Sequence, residues 1–263
     1  MFRKLLVIMA FGAVLPFEAI ADGPPHLVTH YLPVHNMVMN TNLTATSSTW
    51  SGYVYTGKPI TSVAGTWIVP KVTFQIPPIG ATLEVTANWV GIDGWDNNTL
   101  IQVGVTEFAG STGDTNYYPF FAFFPTFDAI TIPKPVAAGD IMMATIICTA
   151  NCSPSQVQTW IMYMIDMTQL WSWSESFQFT VKMTSAEFIL EEPDNGAHPI
   201  PNYGQYVNSS MIVNSDPTLV PNIAVIMEDG FGLSSNPSAL SQPNNAFKVC
   251  YGNGGGLTAC AAN

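Results

Sequence analysis

Downstream of Trp50 the chain is written in short apolar runs, among them SGYVYTG, SVAGTWIVP, LEVTANWVGIDG, TLIQVGVTEF, DIMMATIICTA, TWIMYMIDM and NIAVIMED. Each is rich in β-branched and aromatic residues, and Gly, Pro, Asn, Asp and Ser interrupt them about every ten residues. No clear amphipathic helix stands between them. Strands in regular succession, without helical crossovers, predict an all-β fold of antiparallel sheets closed as a sandwich or a barrel. The aromatic positions Tyr53, Tyr55, Trp67, Phe120, Phe121, Phe123 and Phe124 are expected to fill its core, the alternative being a groove lining.

Upstream the pattern changes. MFRKLLVIMAFGAVLPFEAIADG opens with Arg3 and Lys4, continues apolar to Phe17 and ends in Ala19-Ile20-Ala21, which predicts a secretory signal peptide over residues 1–21. The apolar run is short for a bilayer, so an uncleaved membrane anchor is the weaker reading. Residues 22–46 have no clear period and hold His26, His30 and His35; they are expected to be a propeptide, a spacer or an arm preceding a domain over 47–263. The three histidines share no helix face, which argues against a metal site. The product is expected to be secreted (extracellular or periplasmic), monomeric and free of membrane after signal cleavage.

Composition sharpens this. Only 10% of residues are charged and the net charge is −11, which excludes nucleic acid and anionic membrane surfaces as natural partners. With so few basic groups, protonating the carboxylates leaves little self-repulsion, a composition suited to an acidic medium. Cys148, Cys152, Cys250 and Cys260 in an exported chain predict two disulfides; proximity favours 148–152 and 250–260 among three possible pairings. Asn42, Asn97, Asn151 and Asn208 open glycosylation sequons.

Candidate chemistry emerges by elimination. His198 is the one histidine beyond the N-terminal segment, and GxSxG, HExxH and GxGxxG are all absent. No cofactor is implied, and acid–base work falls to carboxylates. In SAEFILEEP, strand alternation puts Glu187, Ile189 and Glu191 on one face, and Phe188, Leu190 and Glu192 on the other. In NWVGIDGWDNNTLIQVGV, Asp93 ends a β run at a Gly-bounded turn and Gln102 interrupts an apolar strand. If buried, such groups need partners, and a Gln amide across a groove from a Glu satisfies both. If solvated, the glutamates are merely a polar strand end. The residue types leave both readings open.

Taken together, TWSGYVYTG, SVAGTWIVP, NWVGIDG, LIQVGV, SAEFILEEP and AVIMEDGFGLSSNPSALS resemble, in order, the motifs of the eqolisin family of glutamic endopeptidases. The resemblance implies a concanavalin-like, jelly-roll sandwich of two long antiparallel sheets. It also implies a secreted, acid-acting peptide hydrolase that takes polypeptide substrates without metal or cofactor. Carried over by position, the catalytic pair falls on Gln102 and Glu191. Trp89 and Asp93 then line or support the site, and Glu187 shares its face. One departure stands out. Where the family usually has an acidic residue and a tyrosine before a proline, this chain reads FAFFP, with Ala122 and Phe124. That makes the substrate groove more apolar. Other readings remain: a carbohydrate-binding or carbohydrate-active sandwich using Trp95, Trp171 and Trp173, with Asp93 as second carboxyl, or an impaired homologue that binds peptides.

Overall fold

A computed structural model describes residues 38–40, 44–75, 81–193, 197–243, 245–252 and 260. The expected signal peptide, His26, His30, His35 and the Asn42 sequon lie outside the described residues. The strands are β1 (Val38–Asn40), β2 (Thr44–Ser47), β3 (Trp50–Thr56), β4 (Ser62–Ile68), β5 (Leu83–Ile92), β6 (Leu100–Gly110), β7 (Thr115–Phe124), β8 (Phe127–Thr131), β9 (Ile141–Ala150), β10 (Gln158–Asp166), β11 (Trp171–Phe179), β12 (Ser185–Glu191), β13 (Gln205–Val213), β14 (Ile223–Glu228), β15 (Ser234–Pro237) and β16 (Phe247–Tyr251). Among the described residues there is no helix.

The hydrogen-bonded order is β11-β10-β9-β4-β13-β16-β15-β14-β3-β12-β5-β6-β7-β8. The two expected layers are therefore two halves of one sheet, joined through β16, β15 and β14. Along this order every pairing is antiparallel, whereas β2 runs parallel to β14 off the main path. The halves close on each other through one apolar cluster, in which Met142, Ile146, Trp160 and Met164 of β9 and β10 join Val90, Ile101, Val103 and Phe188 of β5, β6 and β12. At Gly65 the layers are so close that a β-carbon would lie 2.6 Å from Val90 Cγ1. Burying each large apolar side chain here contributes about 1.5–3 kcal/mol.

Aromatic rings seal one side of the sandwich. Phe121 stacks on Trp173 at 4.8 Å, and Phe123 meets Phe177 at 3.9 Å. Strand parity divides the aromatic positions. Tyr53, Tyr55, Trp67 and Phe123 enter the core, whereas Phe120 and Phe124 fall on the opposite face of β7 with a second apolar cluster. The core also holds a polar pair, in which Asn88 Nδ2 donates to Glu107 Oε1 at 2.7 Å. Full burial pushes the Glu107 carboxyl well above the usual carboxylate range, against the opposing pull of that hydrogen bond. The disulfides join the neighbours, Cys148 to Cys152 and Cys250 to Cys260.

Candidate active site

The second cluster marks a face of β3, β12, β5, β6 and β7 that points away from the core. Register arranges it in rows, because residues directly opposite on antiparallel strands project to the same side. One row runs Trp50, Glu191, Ala87, Thr106 and Tyr118. The next holds Gly52, Ile189, Trp89, Gly104 and Phe120. A third holds Val54, Glu187, Gly91, Gln102 and Ala122. The alternation read from SAEFILEEP is the one observed. All three glutamates are nevertheless buried, so the solvated strand end does not hold. Glu192 lies just past the strand, and its backbone N–H donates to Thr49 O at 2.8 Å.

Glu191 is gripped by two indoles. Trp89 Nε1 donates to its Oε2 at 2.7 Å, and Trp50 Nε1 to its Oε1 at 3.1 Å. The two rings meet edge to face at 5.0 Å, each fixing the other. The β2–β3 turn sets Trp50 in place, since Ser47 Oγ accepts from the backbone N–H groups of Thr49 and Trp50. Trp50 lies in TWSGYVYTG, and nothing in that stretch gives it a role; its partner is 141 residues distant in sequence, beyond the reach of local patterning.

Gln102 is the counterpart. It is 1% exposed, and neither its Oε1 nor its Nε2 has a hydrogen-bond partner. The reason is its flanks: Gly91 and Ala122 sit directly opposite on β5 and β7, and neither side chain can reach the amide. Ala122 is thus the neighbour of Gln102, and Phe124, opposite Leu100, packs in the same cluster. The rows of Glu191 and Gln102 are four residues apart, about 13 Å along a strand. Trp89 spans that interval. Its N–H end holds Glu191, while its Cζ3 lies 2.7 Å from where a Gly91 β-carbon would be. Glycine at 91 is what lets the indole reach the row of Gln102.

Asp93 directly follows β5. At φ 69° it turns the chain out of β5. Its carboxylate accepts from the backbone N–H groups of Lys182, Met183 and Thr184, and from the hydroxyls of Thr99 and Thr184. These bonds tie the β5–β6 turn to the segment leading into β12. So engaged, Asp93 does not fit a second glycosidic carboxyl. Trp171 Nε1 donates to Pro135 O, Trp173 is stacked on Phe121, and Trp95 packs against the site cluster, all three half-buried.

Glu187 is 0% exposed, and neither carboxyl oxygen has a hydrogen-bond partner. Burial pushes it well above the usual carboxylate range; interaction with the Ser185 hydroxyl pulls the other way, and the negative charges of Asp93 and Asp96 add smaller upward pushes.

Comparison with known proteins adds a relationship to this geometry. The model of the Peptidase A4 family matches residues 48–228. Aspergillopepsin-2 of Aspergillus niger is 27% identical over 202 residues, covering 68% of this chain and 69% of that protein. The crystal structure of scytalido-glutamic peptidase with a transition state analog inhibitor shares the fold at a TM-score of 0.61 and 19% identity, over 78% of this chain and 98% of that one. SCP-B, a member of the Eqolisin family solved with the tripeptide Ala-Ile-His, does so at 0.53 and 20%, with the same coverage.

Proposed function

Because the chain belongs to the Peptidase A4 (eqolisin) family and is a glutamic endopeptidase acting on polypeptides, we propose that Glu191 and Gln102 are its catalytic pair. Glu191, as carboxylate, takes a proton from the water that attacks the scissile carbonyl. The two tryptophan N–H groups fix the orientation of the base, one on each oxygen. The Gln102 amide donates to the oxyanion as it forms, a contribution of about 3 kcal/mol. Glu191 then passes its proton to the departing amine. Trp89 and Asp93 hold the pair in register, and Phe124 and Ala122 give the groove its apolar wall.

The observation that carries this reading is a single buried face on which a clamped carboxylate and an unpartnered amide are linked by one indole. We further propose that the enzyme is exported and works in acid. The two disulfides suit an oxidising compartment, and the sparse basic charge suits a medium in which carboxyls are protonated. The test is digestion of denatured casein at about pH 4 by the wild type, Glu191→Gln and Gln102→Ala, both variants expected to lose at least about 100-fold. Full cleavage by either variant removes that residue from the chemistry.

A further inference from the structure

Glu187 has no place in the reaction just described, yet it sits at the centre of the face that performs it. It stands four residues before Glu191 on β12, opposite Gly91 on β5 and Val54 on β3. Its surroundings are Val54, Ile189, Ile223 and Trp89, all in the apolar cluster, and it has no hydrogen-bond partner. The indoles that hold Glu191 reach into this same space. Trp89 covers Gly91, and Trp50, anchored to Glu191 by its N–H, extends its Cη2 to 3.1 Å from where a Gly94 β-carbon would be.

We infer that Glu187 is a positioning residue that must stay protonated for the tryptophan clamp on Glu191 to hold, and that its ionisation sets the upper pH limit of catalysis. The inference rests on the assignment of Glu191 as the base. An ionised carboxylate cannot remain in that pocket without partners. None of the groups facing it stands at hydrogen-bond distance: Val54 from β3, Gly91 and Trp89 from β5, and the amide of Gln102, which lies across Gly91 in the same row, from β6. Asp93 and Asp96 at the β5–β6 turn oppose a further negative charge; Ser185 on its own strand is the one group that favours it, and Lys182 is exposed. Hydrating the anion requires water beside Trp89, which parts its N–H from Glu191 and loosens the Trp50 ring packed on it. The site opens from beneath, and the pair loses its alignment.

The test is a pH titration of wild type and Glu187→Gln. It is read as casein cleavage normalised to each protein's own maximum, and as tryptophan fluorescence with far-UV circular dichroism alongside. In wild type, cleavage and fluorescence fall together while the dichroism persists. In Glu187→Gln both midpoints move up by about one pH unit or more, a tenfold change in the protonation ratio. Unmoved midpoints in folded Glu187→Gln overturn the inference, and so does an equal shift in Glu107→Gln, which reports the core instead. If Glu187→Gln does not fold, Glu187→Met takes its place under the same criteria. A wild type that cleaves nothing sinks the catalytic assignment, while the fluorescence midpoints still decide whether Glu187 controls the clamp.

Discussion

Glu191 and Gln102 occupy one face of three adjacent strands, yet their surroundings are opposite. Glu191 has a tryptophan N–H on each oxygen. Gln102, equally buried, has nothing on either end of its amide. A buried polar group left without partners costs about 1–3 kcal/mol, so the fold pays for Gln102 and gains from Glu191. The difference suits a base that must keep one orientation and a donor that waits for its acceptor.

The widest test of this contrast removes each group in turn. Glu191→Leu strands two indole N–H groups and is expected to lower stability by about 2–5 kcal/mol. Gln102→Leu should leave stability unchanged or raise it by about 1 kcal/mol. Both should reduce casein cleavage at least about 100-fold. Urea unfolding beside the activity assay separates the cases, and a large destabilisation in Gln102→Leu would break the comparison.

Trimming the clamp is gentler. Trp89→Phe keeps the ring and loses the N–H, with an expected stability loss of about 1–3 kcal/mol and roughly tenfold lower kcat. Trp50→Phe should act in the same direction and more weakly, its bond being longer. Thermal unfolding and steady-state kinetics on the two variants give the order.

The core gives a third contrast, because Glu107 is buried like Glu191 but its Oε2 has no hydrogen-bond partner, whereas both oxygens of Glu191 accept one. Its carboxyl, and that of Glu84, which burial raises to about 7, bind protons more tightly folded than unfolded. The stability they lend is complete below their ordinary value of 4.5 and is lost as pH climbs from there, for Glu84 through about 7. Stability measured by urea unfolding should therefore fall between about pH 4 and 7, and Glu107→Gln should flatten the fall. The smallest effect is expected from Glu84→Gln, which should flatten only the part that ends at about 7.

Much of this was legible in the chain. Period-two alternation placed Glu187 and Glu191 on one face, turn residues marked the strands, and nearness in sequence paired the cysteines. Motif spacing, not periodicity, singled out Gln102 and Glu191. Register was not legible. Nothing local says that Trp50 will stand opposite Glu191, or that Gly91 will lie between Glu187 and Gln102, because those neighbours are set by how strands distant in sequence slide against each other. Burial misled in the same way. Glu107 and Glu192 look like surface residues until a second layer or a neighbouring turn covers them. Asn208, in a sequon, proves fully buried with its amide turned to the Tyr206 hydroxyl, which removes it as a glycan acceptor in the folded chain.

The parallel join between β2 and β14 has a consequence for how the molecule is finished. Composition drew the edge of the domain at residue 47, yet Thr44–Ser47 is hydrogen-bonded along β14, Ala45 packs into the cluster beneath the proposed catalytic face, and Ser47 sets the turn into Trp50. A processing cut between residues 46 and 47 would unpick a strand and loosen one indole of the clamp. Maturation that keeps the site intact has its limit ahead of Thr44, and a protease trimming inward from the N-terminus would meet paired backbone earlier still, at Val38–Asn40 along β2, before the boundary that composition drew.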